Sequence, residues 1–205
     1  MKTSLNKRTR FAAFTLIEMI GVLAVIAILA SLLIPKILNA INDSKINNTV
    51  LSYNTMKTAV MDHYGKYGSF TTTTNGAGLP PGTSPTSPGN GTYGVNDFDL
   101  VLLNEGLIDK PFYVKVGNNS FVHVITNSLP TWDLSGAGNN DLSGASVLVE
   151  AVIQGSSYQD SKDINDRLDG TANPFSLPST AGDDSKGRVK YSNAVQTTWI
   201  YIGHR

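Results

Sequence analysis

The sequence predicts an α+β chain: a long N-terminal α-helix, transmembrane at first and then amphipathic, packed on a small antiparallel β-sheet head. Three observations carry that expectation. Residues 14–35 form a membrane-length apolar run whose one charge is Glu18. Residues 36–68 keep apolar side chains at spacings of three and four, the period of a one-sided helix. Beyond them, 69–205 alternates short apolar stretches with turns rich in Gly and Asn, the pattern of paired strands.

The first element is a basic leader, 1–13. It holds Lys2, Lys7, Arg8 and Arg10 and no acid. The whole chain is formally neutral, with 16 basic and 16 acidic residues. Without the leader, twelve basic and sixteen acidic residues remain, a net charge of −4 (16 − 4 = 12; 12 − 16 = −4). Such a body has no phosphate-neutralising surface, so no nucleic-acid partner is expected. The leader reads instead as a topology signal, because Lys and Arg are retained on the cytoplasmic side of a membrane. The chain has no cysteine, which excludes disulfides, thiolate metal sites and a Cys nucleophile. Oxidising compartments permit disulfides without requiring them, so an extracytoplasmic head remains open.

The second element, 14–35, is long enough to span a bilayer, which takes roughly 17–25 residues at about 1.5 Å each. A secretory signal has a shorter apolar core of about 7–15 residues and a cleavage site after it. Here the small residue, Ala13, precedes the core, so a cut there leaves the apolar helix on the mature protein. A plain membrane anchor explains the leader and the length but gives no reason for Glu18. A carboxylate within a bilayer costs on the order of 3 kcal/mol. An acid in a first helical turn does suit the helix dipole. Gly21 and Pro35 are the weak points of the helix, since an interior Pro removes a backbone hydrogen bond.

A basic leader, Ala13, Phe14 and Glu18 four residues later together resemble the type IV pilins and the type II secretion pseudopilins. The resemblance is specific over 14–36, general over 37–66, and architectural over the head. It implies cleavage between Ala13 and Phe14 by a prepilin peptidase, and N-methylation of Phe14. It also implies that the new amine of one subunit pairs with Glu18 of a neighbour. The mature chain would wait in the inner membrane as a single-pass protein with its head outside the cytoplasm. A platform protein and an assembly ATPase would then add it to a filament of identical or related subunits, either an extracellular pilus or a periplasmic pseudopilus. Pro35 falls where many type IV pilins carry a helix-kinking proline. Two departures stand out: the family's usual residue before the cut is Gly, and many pilins close a C-terminal loop with a disulfide. The competing reading is a membrane-anchored extracytoplasmic binding domain that never polymerises.

The third element, 36–68, draws a stripe of Ile46, Val50, Tyr53, Met56, Val60, Tyr64 and Tyr67, read as core packing. Gly65 and Gly68 end the helix. Residues 71–94 are a Gly/Pro-rich loop without regular structure. In the globular head, 69–205, a short helix is expected over Asp97–Glu105, stopped by Gly106. A hairpin follows, with strands Phe112–Val116 and Ser120–Ile125 around Gly117-Asn118-Asn119. Further strands are expected at Ser146–Ile153, Arg188–Tyr191 and Thr197–Ile202, with a helix at Asp160–Leu168.

No enzyme is expected. Nucleotide-binding, serine-hydrolase and zinc-peptidase motifs are all missing. His63, His123 and His204 sit on separate elements with no carboxylate at useful sequence spacing. No cofactor is required. The one metal candidate is calcium, on Asp160, Asp163, Asp166 and Asp169 with Asp183 and Asp184. Like charges three apart repel, and a hard cation would relieve them; pseudopilins that this chain resembles often bind calcium in a C-terminal loop. The spacing fails the EF-hand template, and the plain alternative is a solvated helix face. Trp132 and Trp199 are read as packing residues, with Trp199 and Tyr201 making one face of the last strand aromatic.

Overall fold

The structure, a computed structural model, describes residues 14–70, 98–125, 129–170, 184 and 186–205. The 71–94 loop, Ala13 and Asp183 lie outside the described residues. The chain divides into two compact units, Met1–Asp43 and Ser44–Arg205. Helix α1, Leu16–Tyr67, contributes to both.

In the first unit every described residue from Phe14 to Ile41 is exposed. Leu16, Leu23, Ile28 and Leu32 are each more than 60% exposed. This apolar surface meets no partner among the described residues, so it asks for lipid or for other chains. Among the described residues, α1 is the one helix long and apolar enough to cross a membrane. Its assignment continues through Pro35 without a break.

In the second unit, α1 buries Ile46, Thr49, Tyr53, Met56, Ala59, Val60 and His63. Ile46 and Val60 are wholly enclosed, and each such burial contributes about 1.5–3 kcal/mol. The predicted stripe is largely the buried face. Tyr67 is a correction, at 59% exposed, because it lies in the last turn with Gly68 at φ 65 beside it. Helix α2, Phe98–Asn104, turns Phe98, Val101 and Leu102 inward. Its C-terminus is a Schellman motif: Leu107 N–H donates to Leu102 O (3.0 Å), Gly106 N–H to Leu103 O (3.1 Å), and Gly106 has φ 71. Glycine takes that left-handed conformation without a Cβ penalty.

Four strands form one antiparallel sheet: β1 Asn119–Ile125, β2 Leu148–Gln154, β3 Val189–Ser192 and β4 Thr197–His204, in the order β1-β2-β4-β3. Val152 lies opposite Phe121 on one side and Trp199 on the other. Helix α3, Tyr158–Leu168, connects β2 to β3.

The expected hairpin is not formed. Residues 112–116 are not a strand, and β1 pairs with β2 instead. The inward face was still legible: Phe112, Val114 and Val116 are buried while Tyr113 and Lys115 are exposed. The backbone bonds of the segment go to side chains. Phe112 N–H donates to Asp99 Oδ2 (2.9 Å), and Val114 N–H donates to Ser120 Oγ (3.2 Å), which itself donates to Phe112 O (3.1 Å). An alternating pattern reports extended chain against a core; it does not report who pairs with it.

Both faces of the sheet are covered, and six of the seven β2 residues are buried. On one face Val122, Val124, Val149, Ala151, Ile153, Ile200 and Ile202 share a core with α1 and α2. On the other, Ile125 and Leu148 pack with Trp132 and Leu142 of the following irregular segment, flanked by Trp199 and Tyr201.

Candidate functional site

The site begins at the head of α1. Thr15 N–H and Thr15 Oγ1 both donate to Glu18 Oε2, at 2.9 and 2.7 Å, and Glu18 N–H donates back to Thr15 Oγ1 at 3.4 Å. This is a reciprocal capping box, T-x-x-E, which satisfies amides that a helix start otherwise leaves open. The T-x-x-E spacing stands in the sequence at Thr15 and Glu18. The carboxylate therefore has a local partner as well as its expected intermolecular one.

One turn further on, Gly21 leaves a hollow. A Cβ built there would meet nothing within 4 Å. Phe14, Glu18, Gly21, Val22, Val25 and Ile26 line a shallow groove of about 450 Å³ along the helix. Among the described residues, Glu18 is its one ionisable lining side chain. Gly21, expected as a weak helix former, contributes no side chain to this groove. Pro35 lies among exposed apolar residues of the same helix.

Of the aspartates expected to gather around calcium, Asp160, Asp163, Asp166 and Asp169 each have a partner of their own. Asp160 accepts from Ser157 Oγ (2.7 Å) in the N-cap of α3, and Asp163 accepts from Gln159 Nε2 (2.7 Å). Asp166 pairs with Lys162 at 2.6 Å. Asp169 accepts from Arg188 N–H (2.6 Å), Arg188 Nε (2.7 Å) and Val189 N–H (3.2 Å). A spacing of three turns about 60° backward around a helix at each step, so the first and last of the four point to opposite sides. Asp184 is buried and exchanges backbone bonds with Tyr191 of β3. Among the described residues, no group of three or more His, Asp or Glu side chains is arranged to hold a metal ion.

The histidines do have partners that sequence spacing hid. His63 Nδ1 lies 2.8 Å from Glu105 Oε2, His123 Nδ1 lies 3.4 Å from Glu150 Oε1, and His204 Nδ1 lies 2.5 Å from Tyr201 Oη. The first two contacts join residues 42 and 27 positions apart (105 − 63; 150 − 123), which only the fold brings together.

Comparison with known proteins bears on the N-terminal segment. Residues 8–34 match the family model of the prokaryotic N-terminal methylation motif. That motif is the signature of type IV pilins and pseudopilins, and this chain carries it on a helix that fits a membrane anchor. No curated protein and no solved structure matches the chain.

Proposed function

We propose that the chain is a prepilin: a structural subunit, not an enzyme, of a type IV pilus-like or type II secretion pseudopilus filament. A prepilin peptidase cuts between Ala13 and Phe14, and Phe14 is N-methylated. The subunit then rests in the inner membrane with its head outside the cytoplasm. A platform protein and an assembly ATPase add it to the fibre. One observation carries this reading: a helix bearing the methylation motif exposes its whole apolar surface from Phe14 to Ile41 and has a groove with one carboxylate at its head. Lipid satisfies that surface before assembly, and neighbouring helices satisfy it afterwards. The Phe14 amine of an adjacent subunit neutralises Glu18, which removes the cost of holding a lone carboxylate among apolar helices.

The Thr15–Glu18 capping box favours a second reading, a membrane-anchored binding domain that does not polymerise, since it gives Glu18 a role within one chain. Mass spectrometry of the N-terminal peptide separates the two. N-methylated Phe14 in sheared extracellular fibres establishes a pilin. The same peptide found in membranes alone supports a pseudopilin. An intact leader in every fraction leaves the plain anchor.

A further inference from the structure

A cavity of about 320 Å³ opens on the sheet face that lies away from α1. Trp199 of β4, Lys190 of β3 and Glu150 of β2 line it, together with Thr131, Trp132 and Asp184. Its size falls at the lower end of the range of about 300–1,000 Å³ used for small-molecule sites. Both tryptophans of the chain are here.

The lining has a mixed character that narrows the ligand. Lys190 Nζ stands 4.1 Å from the centroid of the Trp132 ring and donates to Thr131 O. A built-in ammonium thus already takes that aromatic face, which disfavours a free cation as ligand. Two carboxylates against one ammonium disfavour an anion. Trp132 is wholly buried, yet its Nε1 has no hydrogen-bond partner among the described residues. A buried donor left in that state is costly and wants an acceptor. The half-buried indole of Trp199 offers an apolar ring face beside these groups.

We infer that this cavity binds a neutral saccharide unit, whose C–H face stacks on the Trp199 ring while its hydroxyls bridge Glu150 and Lys190. A sugar is the ligand class that brings a flat apolar face, several donors and several acceptors, and no net charge. This assignment concerns the head alone and holds whether or not the chain polymerises.

Because the chain has two tryptophans and both line the cavity, its intrinsic fluorescence reports this site. The full chain, held in a detergent without a sugar headgroup, is titrated with the methyl glycosides of glucose, galactose, mannose and N-acetylglucosamine. At least one produces a saturable change. Glu150→Gln weakens that binding about tenfold, as replacing a charged hydrogen-bond acceptor by a neutral one does. Trp199→Thr abolishes it, with Trp132 still reporting and circular dichroism verifying the fold of each variant. The inference is overturned if no glycoside saturates, if the folded variants bind as the parent does, or if tetramethylammonium saturates the signal and the glycosides do not.

Discussion

Thr15 and Glu18 close the first turn of α1 on each other: two donors of Thr15 meet one carboxylate oxygen, and the Glu18 amide returns a bond to the Thr15 hydroxyl. The same carboxylate opens onto the groove beside Gly21. A cap and an assembly contact can therefore be separated by mutation. Thr15→Ala removes the capping hydroxyl at a cost of about 1 kcal/mol to the helix start, and filaments still form because the carboxylate remains. Glu18→Ala leaves membrane insertion intact and reduces filaments severely. Quantitative immunoblots of sheared and membrane fractions read both. Normal fibre yield in Glu18→Ala would sink the assembly role.

Gly117 sits at φ 73 just before β1. A Cβ there would lie 2.3 Å from Gln154 O, the acceptor of the Asn118 N–H bond (2.7 Å). Gly117→Ala combines left-handed strain with a backbone clash, and the expected loss is about 2 kcal/mol or more. Denaturant titration of the full chain in detergent measures it; a loss below a few tenths of a kcal/mol would contradict the close approach.

The legible part of this molecule was the part written in local pattern. The charge-free run after Glu18 showed the exposed apolar helix, and spacings of three and four showed its buried face from Ile46 to Val60. Gly106 marked the end of α2, and alternation placed Phe112, Val114 and Val116 inward. Contacts set by the whole fold were not legible. Period two could not show that residues 112–116 bond to Asp99 and Ser120 side chains while β1 turns to β2. Nor could spacing bring His63 to Glu105 or Asp169 to Arg188. The capping box was different: T-x-x-E stood in the sequence, overshadowed by the membrane context of its glutamate.

His63 is the most enclosed histidine, 1% exposed, edge-on to Phe98 and tilted against Tyr67. Its Nδ1 contact ties α1 to the end of α2 through Glu105. Glu105→Ala strands a buried ring nitrogen, and the expected loss is about 1–3 kcal/mol. His63→Phe replaces both polar atoms with an apolar ring of similar shape, and it is expected to cost less than Glu105→Ala. Thermal melts of the two variants rank them; the reverse order would show that the pair stabilises the head by more than its desolvation.

Stability should depend on alkaline pH in two opposed steps. Burial pushes the Lys190 ammonium down from 10.5 to about 8, against the pull of Glu150 and Asp184. Between those values the unfolded chain binds the extra proton, so stability rises with pH from about 8 toward 10.5. Burial pushes the Tyr53 hydroxyl, which donates to Tyr201 O at 2.6 Å, from 10.0 up to about 12. Above pH 10 the unfolded tyrosine loses its proton first, so stability falls from there to about 12. Lys190→Met flattens the rise and Tyr53→Phe softens the fall. Denaturation midpoints across this range check both; a Lys190→Met profile parallel to the parent would mean that the ammonium is solvated.

Asp169 accepts three N–H bonds, and its side chain is 2% exposed. It fastens the C-terminal end of α3 to the entry of β3, whereas Asp163, on the same helix, accepts from an exposed glutamine one turn back. Asp169→Ala leaves the Arg188 and Val189 amides without their acceptor, at about 3 kcal/mol, while Asp163→Asn changes stability by less than about 0.5 kcal/mol. If calcium organised these aspartates, both variants would lose a calcium-dependent increment of stability. With Asp163 and Asp169 each held by its own protein partner, the melting temperature is expected to be the same in EGTA and in excess calcium chloride. A calcium-dependent rise that vanishes in Asp163→Asn as well as in Asp169→Ala would restore the shared cation and displace the ion pair as the reason for Asp169.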